Sequence, residues 1–107
     1  MTDIDLLALR DRLRSFASDR DWEKFHTPKN LASALSVEAS ELLEIFQWLT
    51  PEESVKVMES QSSNAAVLDE MADVLIYLVR LADVLDVDLV AAAEAKINRN
   101  KDRFPTV

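Results

Sequence analysis

The chain has 107 residues, 49% of them apolar, with three prolines, one histidine and neither glycine nor cysteine. This is the length of one domain with enough apolar content to fold, and the missing residue types exclude disulfides, thiolate zinc sites, multi-histidine metal sites, Walker loops and dinucleotide-binding turns. Twelve basic residues against twenty acidic ones leave a net charge of -8, which argues against an extended grip on a nucleic-acid polymer.

Thr2 followed by Asp5 resembles a capping box with aspartate in place of glutamate. Leu6, Leu9, Leu13 and Phe16 then repeat at helical spacing, with Arg10, Asp11, Arg12 and Arg14 on the other side, so a first amphipathic helix is predicted to end near Asp19. Residues 20–26 mix aromatics with charges and show no period, which reads as an irregular connection. Thr27 and Pro28 restart the chain as N-cap and first helical residue. A second helix, about residues 28–49, is apolar nearly all round, and such a helix is usually buried on most sides. Thr50-Pro51-Glu52-Glu53 opens a short helix reaching about Glu59, and Gln61-Ser62-Ser63-Asn64 is the most loop-like stretch of the chain. A third apolar helix is expected over roughly residues 65–85. Asp86 or Asp88 can cap the last helix, whose stripe is Leu89, Ala93 and Ile97, before Pro105.

The expected product is an all-α four-helix bundle with an additional short helix, one domain over residues 1–107. Two helices apolar all round exceed what a lone bundle of this size can cover, so a homo-oligomer, dimer or tetramer, is expected. The first five residues do not read as a signal peptide and no apolar run approaches a membrane span, which makes a soluble cytoplasmic protein without a membrane partner the expectation.

Two carboxylate pairs stand inside the most apolar helices: Glu38/Glu41 on the second and Glu70/Asp73 on the third. Three residues is about one helical turn, so each pair presents its oxygens on one side, and side-by-side packing would bring four carboxylates together. Such a cluster is costly unless something positive sits in it. Without thiols or several histidines the ligands must be mainly oxygen, which points to magnesium, manganese or calcium. Spacing alone does not choose the site, because Glu41/Glu44 and Asp83/Asp86 share it. At about 100° per residue, Trp48 falls within roughly 20° of Glu41 and Tyr77 within roughly 40° of Asp73, where a base would stack if its phosphates lay on a metal. Trp22 and His26, in the irregular connection, are free to line a cleft. Lys96 and Asn100, four apart on the last helix, can bind phosphate oxygens or simply complement the helix dipole.

Glu38-Ala39-Ser40-Glu41, then twenty-eight residues, then Glu70-Met71-Ala72-Asp73, resembles the ExxE…ExxD signature of the MazG-like all-α nucleoside triphosphate pyrophosphohydrolases. The strings Asp21-Trp22-Glu23-Lys24-Phe25-His26, Glu44-Ile45-Phe46-Gln47-Trp48 and Asp73-Val74-Leu75-Ile76-Tyr77-Leu78 are similar to the dCTP pyrophosphatase branch, and the likeness runs from about Leu6 to Pro105. The resemblance implies magnesium-dependent hydrolysis of a nucleoside triphosphate, dCTP or a modified deoxycytidine triphosphate first, to monophosphate and pyrophosphate. Glu38, Glu41, Glu70 and Asp73 would be metal ligands and catalytic residues. Trp22, Trp48 and Tyr77 would shape the base and sugar pocket, with Lys96 and Asn100 near the phosphates, and neighbouring subunits would complete the site. One departure is Leu13, where some members carry a histidine near the nucleotide. The alternatives are a non-catalytic acidic module for oligomerisation or partner binding, and a related pyrophosphohydrolase acting on dUTP or another triphosphate.

Overall fold

The computed structural model describes residues 5–107. The first helix, α1 (Leu6–Asp19), is capped by Asp5, whose side chain accepts from the Ala8 N–H at 2.8 Å. Thr2, the other half of the expected capping box, lies outside the described residues. α1 stops in a motif that ordinarily uses glycine: Trp22 N–H reaches Ala17 O at 2.9 Å and Asp21 N–H reaches Ser18 O at 3.1 Å, with Asp21 left-handed at φ 55°. A chain with no glycine falls back on aspartate, among the residues least penalised there. The same device ends the fourth helix, where Asp86 sits at φ 56° and Val87 N–H reaches Ala82 O at 2.8 Å.

The irregular connection contains a 3-10 turn, Glu23–Phe25. It is tied to the second helix, α2 (Pro28–Phe46), by Asn30 Nδ2 donating to Phe25 O at 3.0 Å, and Thr27 caps that helix through the Asn30 N–H. α2 ends at Phe46, short of the expected Leu49. Thr50 precedes a proline and is extended (φ -72°, ψ 162°), so the chain leaves the helix beforehand. Thr50 and Glu53 then form a reciprocal capping box, at 3.1 and 2.8 Å, on the short α3 (Pro51–Ser54), and a 3-10 turn, Val57–Glu59, follows.

The loop expected at Gln61-Ser62-Ser63-Asn64 is instead the first turn of α4 (Gln61–Val84). Small polar residues suit a helix start as well as a loop, because they can serve the unpaired N–H groups there. Asn64 Nδ2 also donates back to Met58 O at 3.2 Å, closing the preceding turn. The last helix is α5 (Leu89–Arg103), capped by Asp88 through the Ala91 N–H at 3.0 Å, so Asp88 is the cap and Asp86 the stop before it.

All the described elements are helices and turns, as expected for an all-α chain. α2 and α4 pack along each other and α1 packs on α4. Among the described residues the buried apolar ones are Ala17, Leu31, Val67, Val79 and Ala82, and α5 has none. The radius of gyration is 16.6 Å, against about 13 Å for a compact domain of this length. A single copy is therefore open, with Trp48 87% exposed and Leu43, Val55 and Ile97 also largely exposed. No described helix is long and apolar enough to cross a membrane.

Candidate functional site

The packing of α2 on α4 brings one carboxylate oxygen from each of Glu38, Glu41 and Glu70 within 4.8 Å of one another. Glu38 and Glu41 are one turn apart on α2 and Glu70 faces them from α4. Glu44, equally spaced from Glu41, is not in this group. Asp73 is not part of the tight group either, yet it lies near enough that its charge acts on both Glu38 and Glu70.

The inner oxygens of the cluster are under-served. Glu38 Oε2 and Glu70 Oε2 are shut off from solvent and have no hydrogen-bond partner among the described residues. Burial pushes the Glu38 carboxyl up to about 7, reinforced by Glu41, Glu70 and Asp73. Glu70 is also raised, first by burial and then by Glu41 and Asp73. Buried acceptors with no donor, crowded by like charges, are what a hard divalent cation satisfies, and three carboxylates supply the oxygen ligands such an ion takes. The residues present therefore fit a divalent metal.

Beside the cluster lies a cavity of about 370 Å³ between α1, the connection and α4. Leu9, Leu13, Phe16 and Ile76 give it an apolar lining; Trp22, His26, Tyr77, Asp73, Arg12 and Arg80 supply the aromatic and polar groups. The left-handed stop at Asp21 turns Trp22 back over α1, where its ring meets Phe16 edge-on at 5.6 Å and His26 at 6.1 Å. Asp73 lines this cavity, and its charge acts on Glu38 and Glu70 of the cluster.

Along the cavity wall runs a chain of charged and polar groups. Arg80, only 7% exposed, donates from Nη1 to Asp83 Oδ2 at 3.0 Å and from Nε to His26 Nδ1 at 3.0 Å. Arg14 grips the same carboxylate from α1, through Nε at 3.0 Å and through Nη2. The Arg14 hydrogen bond, aided by both arginines' charge, holds the Asp83 carboxyl below its ordinary value despite its burial. Burial and then the Arg80 charge lower His26.

Of the residues singled out in the sequence, the chain itself gathers Glu38, Glu41 and Glu70 in the cluster and Asp73, Trp22, His26 and Tyr77 around the cavity. Trp48, Lys96 and Asn100 do not line it. Trp48 stands in solvent after α2, and Lys96 and Asn100 sit on α5, which has no fully buried residue. The sequence reading missed Arg80, whose setting between Val79 and Leu81 gave one clue, its i,i+3 spacing to Asp83. It also missed Arg12, assigned to the solvent side of α1 but lining the cavity.

An all-helical chain with a three-carboxylate cluster and, one turn along α4 from Glu70, an aromatic cavity bordered by Asp73 is the class of protein these features define. A model of the MazG-like family matches residues 33–107, and the chain belongs to that family. It is 47% identical to dCTP pyrophosphatase 1 of Bos taurus and 48% identical to dCTP pyrophosphatase 1 of Homo sapiens, over 90 residues that make up 84% of this chain and 53% of each relative. The chain thus spans about half the length of the curated relatives it matches. The crystal structure of a pyrophosphatase from Archaeoglobus fulgidus superposes with a TM-score of 0.84 at 44% identity, covering 90% of this chain and 88% of that one.

Proposed function

We propose that residues 1–107 form a single nucleotide pyrophosphohydrolase domain that cuts a nucleoside triphosphate, dCTP or a modified deoxycytidine triphosphate first, into monophosphate and pyrophosphate. The observation that carries this reading is the pair of unpartnered buried oxygens, Glu38 Oε2 and Glu70 Oε2, at the edge of an aromatic cavity. The similarity to proteins named dCTP pyrophosphatase 1 supports the substrate.

Glu38, Glu41 and Glu70 would hold magnesium, with manganese an adequate replacement, and Asp73 would complete the ligand set from the cavity side. When bound, the cation neutralises phosphate oxygens and lowers the barrier to attack on the chain of phosphates. The protein's own residues do the rest. Trp22 and Tyr77 offer ring faces to the base, and apolar Leu13 and Ile76 exclude water from it. A carboxylate of the cluster holds a water in line with the α-phosphorus and takes its proton as the bond to pyrophosphate breaks. No covalent enzyme intermediate is needed, which agrees with a chain lacking cysteine.

The open single copy supports a homodimer or homotetramer. A second copy packed on α5 and on the exposed Leu43, Trp48 and Val55 would supply Trp48, Lys96 and Asn100 to a shared site. Light scattering should then give a mass at least twice that of one chain; a monomer would remove this part of the reading.

The test of the activity is incubation with magnesium and a panel of nucleoside triphosphates, with the products resolved by 31P NMR. Monophosphate plus pyrophosphate is expected, fastest from dCTP. Diphosphate plus orthophosphate would contradict the assignment, and no turnover of any nucleotide would favour an acidic oligomerisation or binding module.

A further inference from the structure

His26 has two ring nitrogens, and one is already committed. Arg80 Nε–H donates to His26 Nδ1 at 3.0 Å. A guanidinium carries no acceptor and keeps its protons at any pH the fold survives, so the nitrogen facing it must present a lone pair. The imidazole is therefore neutral, with its one hydrogen on Nε2.

Arg80 is itself fixed. It is buried, and its Nη1 is held by Asp83, which is gripped in turn by Arg14. The chain Arg14, Asp83, Arg80, His26 joins α1, α4 and the connection, the three segments that enclose the cavity. Among the described residues nothing accepts from His26 Nε2, and His26 lines the cavity alongside Trp22 and Tyr77. The donor is thus spoken for by nothing among the described residues.

We propose that Arg80 is a positioning residue that holds His26 in its Nε2–H tautomer, and that His26 offers this N–H to the nucleotide as a fixed donor. The proposal rests on the nucleotide reading above and deepens it. A fixed N–H donates to a carbonyl oxygen or an unprotonated ring nitrogen of a base, such as the O2 and N3 edge of cytosine, and gives nothing to an exocyclic amine. A histidine free of Arg80 would divide between two tautomers and charge on mild acidification. Its lowered pKa, from burial and the Arg80 charge, agrees with a permanently neutral ring. Arg12, Asp73 and Tyr77 share the cavity with it.

His26 is the only histidine in the chain, so its ring nitrogens can be read without ambiguity. A long-range 1H–15N correlation spectrum of the nucleotide-free protein should show an unprotonated Nδ1 and a protonated Nε2. Arg80→Met should give the averaged signals of mixed tautomers, and Arg80→Lys, which still carries a donor, should restore part of the wild-type pattern. In turnover of dCTP, Arg80→Met should raise KM about twofold, because a ring divided between two tautomers still presents the donor about half the time, whereas removing the donor in His26→Asn should raise it about tenfold, the worth of one net hydrogen bond. His26→Gln, which keeps an N–H near the Nε2 position, should retain most of the affinity that His26→Asn loses. A proton on Nδ1 in the wild type, an unchanged KM in Arg80→Met, or equal affinity in the Gln and Asn variants would each overturn the proposal. A wild type that turns over no triphosphate overturns the nucleotide reading and the donor's role with it, while the spectrum still decides the tautomer.

Discussion

Replacing Asp83 by asparagine keeps the shape of the side chain and removes its charge. In the wild type this carboxylate accepts from Arg14 Nε, Arg14 Nη2 and Arg80 Nη1, and the Asp83 and Arg80 side chains are each only 8% exposed. Asparagine leaves the Arg80 guanidinium buried without a counter-charge, a loss of about 3 kcal/mol or more. For a chain of this length that lowers Tm by about 12 °C. The pH dependence is the sharper part of the prediction. The folded carboxyl is held below its ordinary value of 3.8, so its stabilisation is fully present above that value and is lost as pH falls through the lower, folded one. The gap in Tm between wild type and Asp83→Asn should therefore be widest near neutrality and close as acid protonates Asp83. Thermal unfolding followed by circular dichroism, at one protein concentration across a pH series, measures it. A gap that does not change with pH, or one under about 1 kcal/mol at neutral pH, would refute the view that this is a buried ion-pair network.

Three further outcomes are expected. Glu41→Gln and Asp73→Asn should each abolish turnover while far-UV circular dichroism stays helical; near-normal rates in both would remove the cluster from the reaction. Glu38 is raised to about 7 from an ordinary value of 4.5, so the folded chain binds more protons than the unfolded one between these values. Metal-free stability should consequently fall as pH rises through that window, and magnesium affinity should tighten over it with release of protons, measured by titration calorimetry in buffers of different ionisation enthalpy. Asp86→Gly should raise Tm, by an amount equivalent to about 1 kcal/mol, because glycine adopts the left-handed stop of α4 without the penalty of a Cβ; a lower Tm would mean that the Asp86 side chain is needed there.

Helix starts were the most legible part of the sequence, because their signals are local. Thr27-Pro28, Thr50-Pro51-Glu52-Glu53 and Asp88 all act within one turn of themselves, and all cap as read. Gln61-Ser62-Ser63-Asn64 failed for the same local reason: residues that can bond to nearby backbone suit a loop and a helix start equally. The carboxylate pairs were legible as spacing, but their meeting required the packing of α2 on α4. The Arg80 contact with His26 was not legible at all. It spans 54 residues of sequence, and an arginine in an apolar run reads as a side chain reaching for water. Trp48, Lys96 and Asn100 stand out in the sequence only through helical spacing and resemblance. The structure of one copy leaves them away from the cavity, since a helical angle fixes a side chain's direction but not what lies opposite it.

The central claim is that Glu38, Glu41 and Glu70 hold the cation on which the triphosphate lies while the base enters the cavity beside Trp22, His26 and Tyr77. Its most direct test is a crystal structure with manganese and a non-hydrolysable dCTP analogue, with the metal located by anomalous scattering. The account predicts an anomalous peak at coordination distance from all three glutamates, phosphates against it and the cytosine in the cavity. Manganese bound away from those carboxylates, or a nucleotide lying outside the cavity, would contradict it.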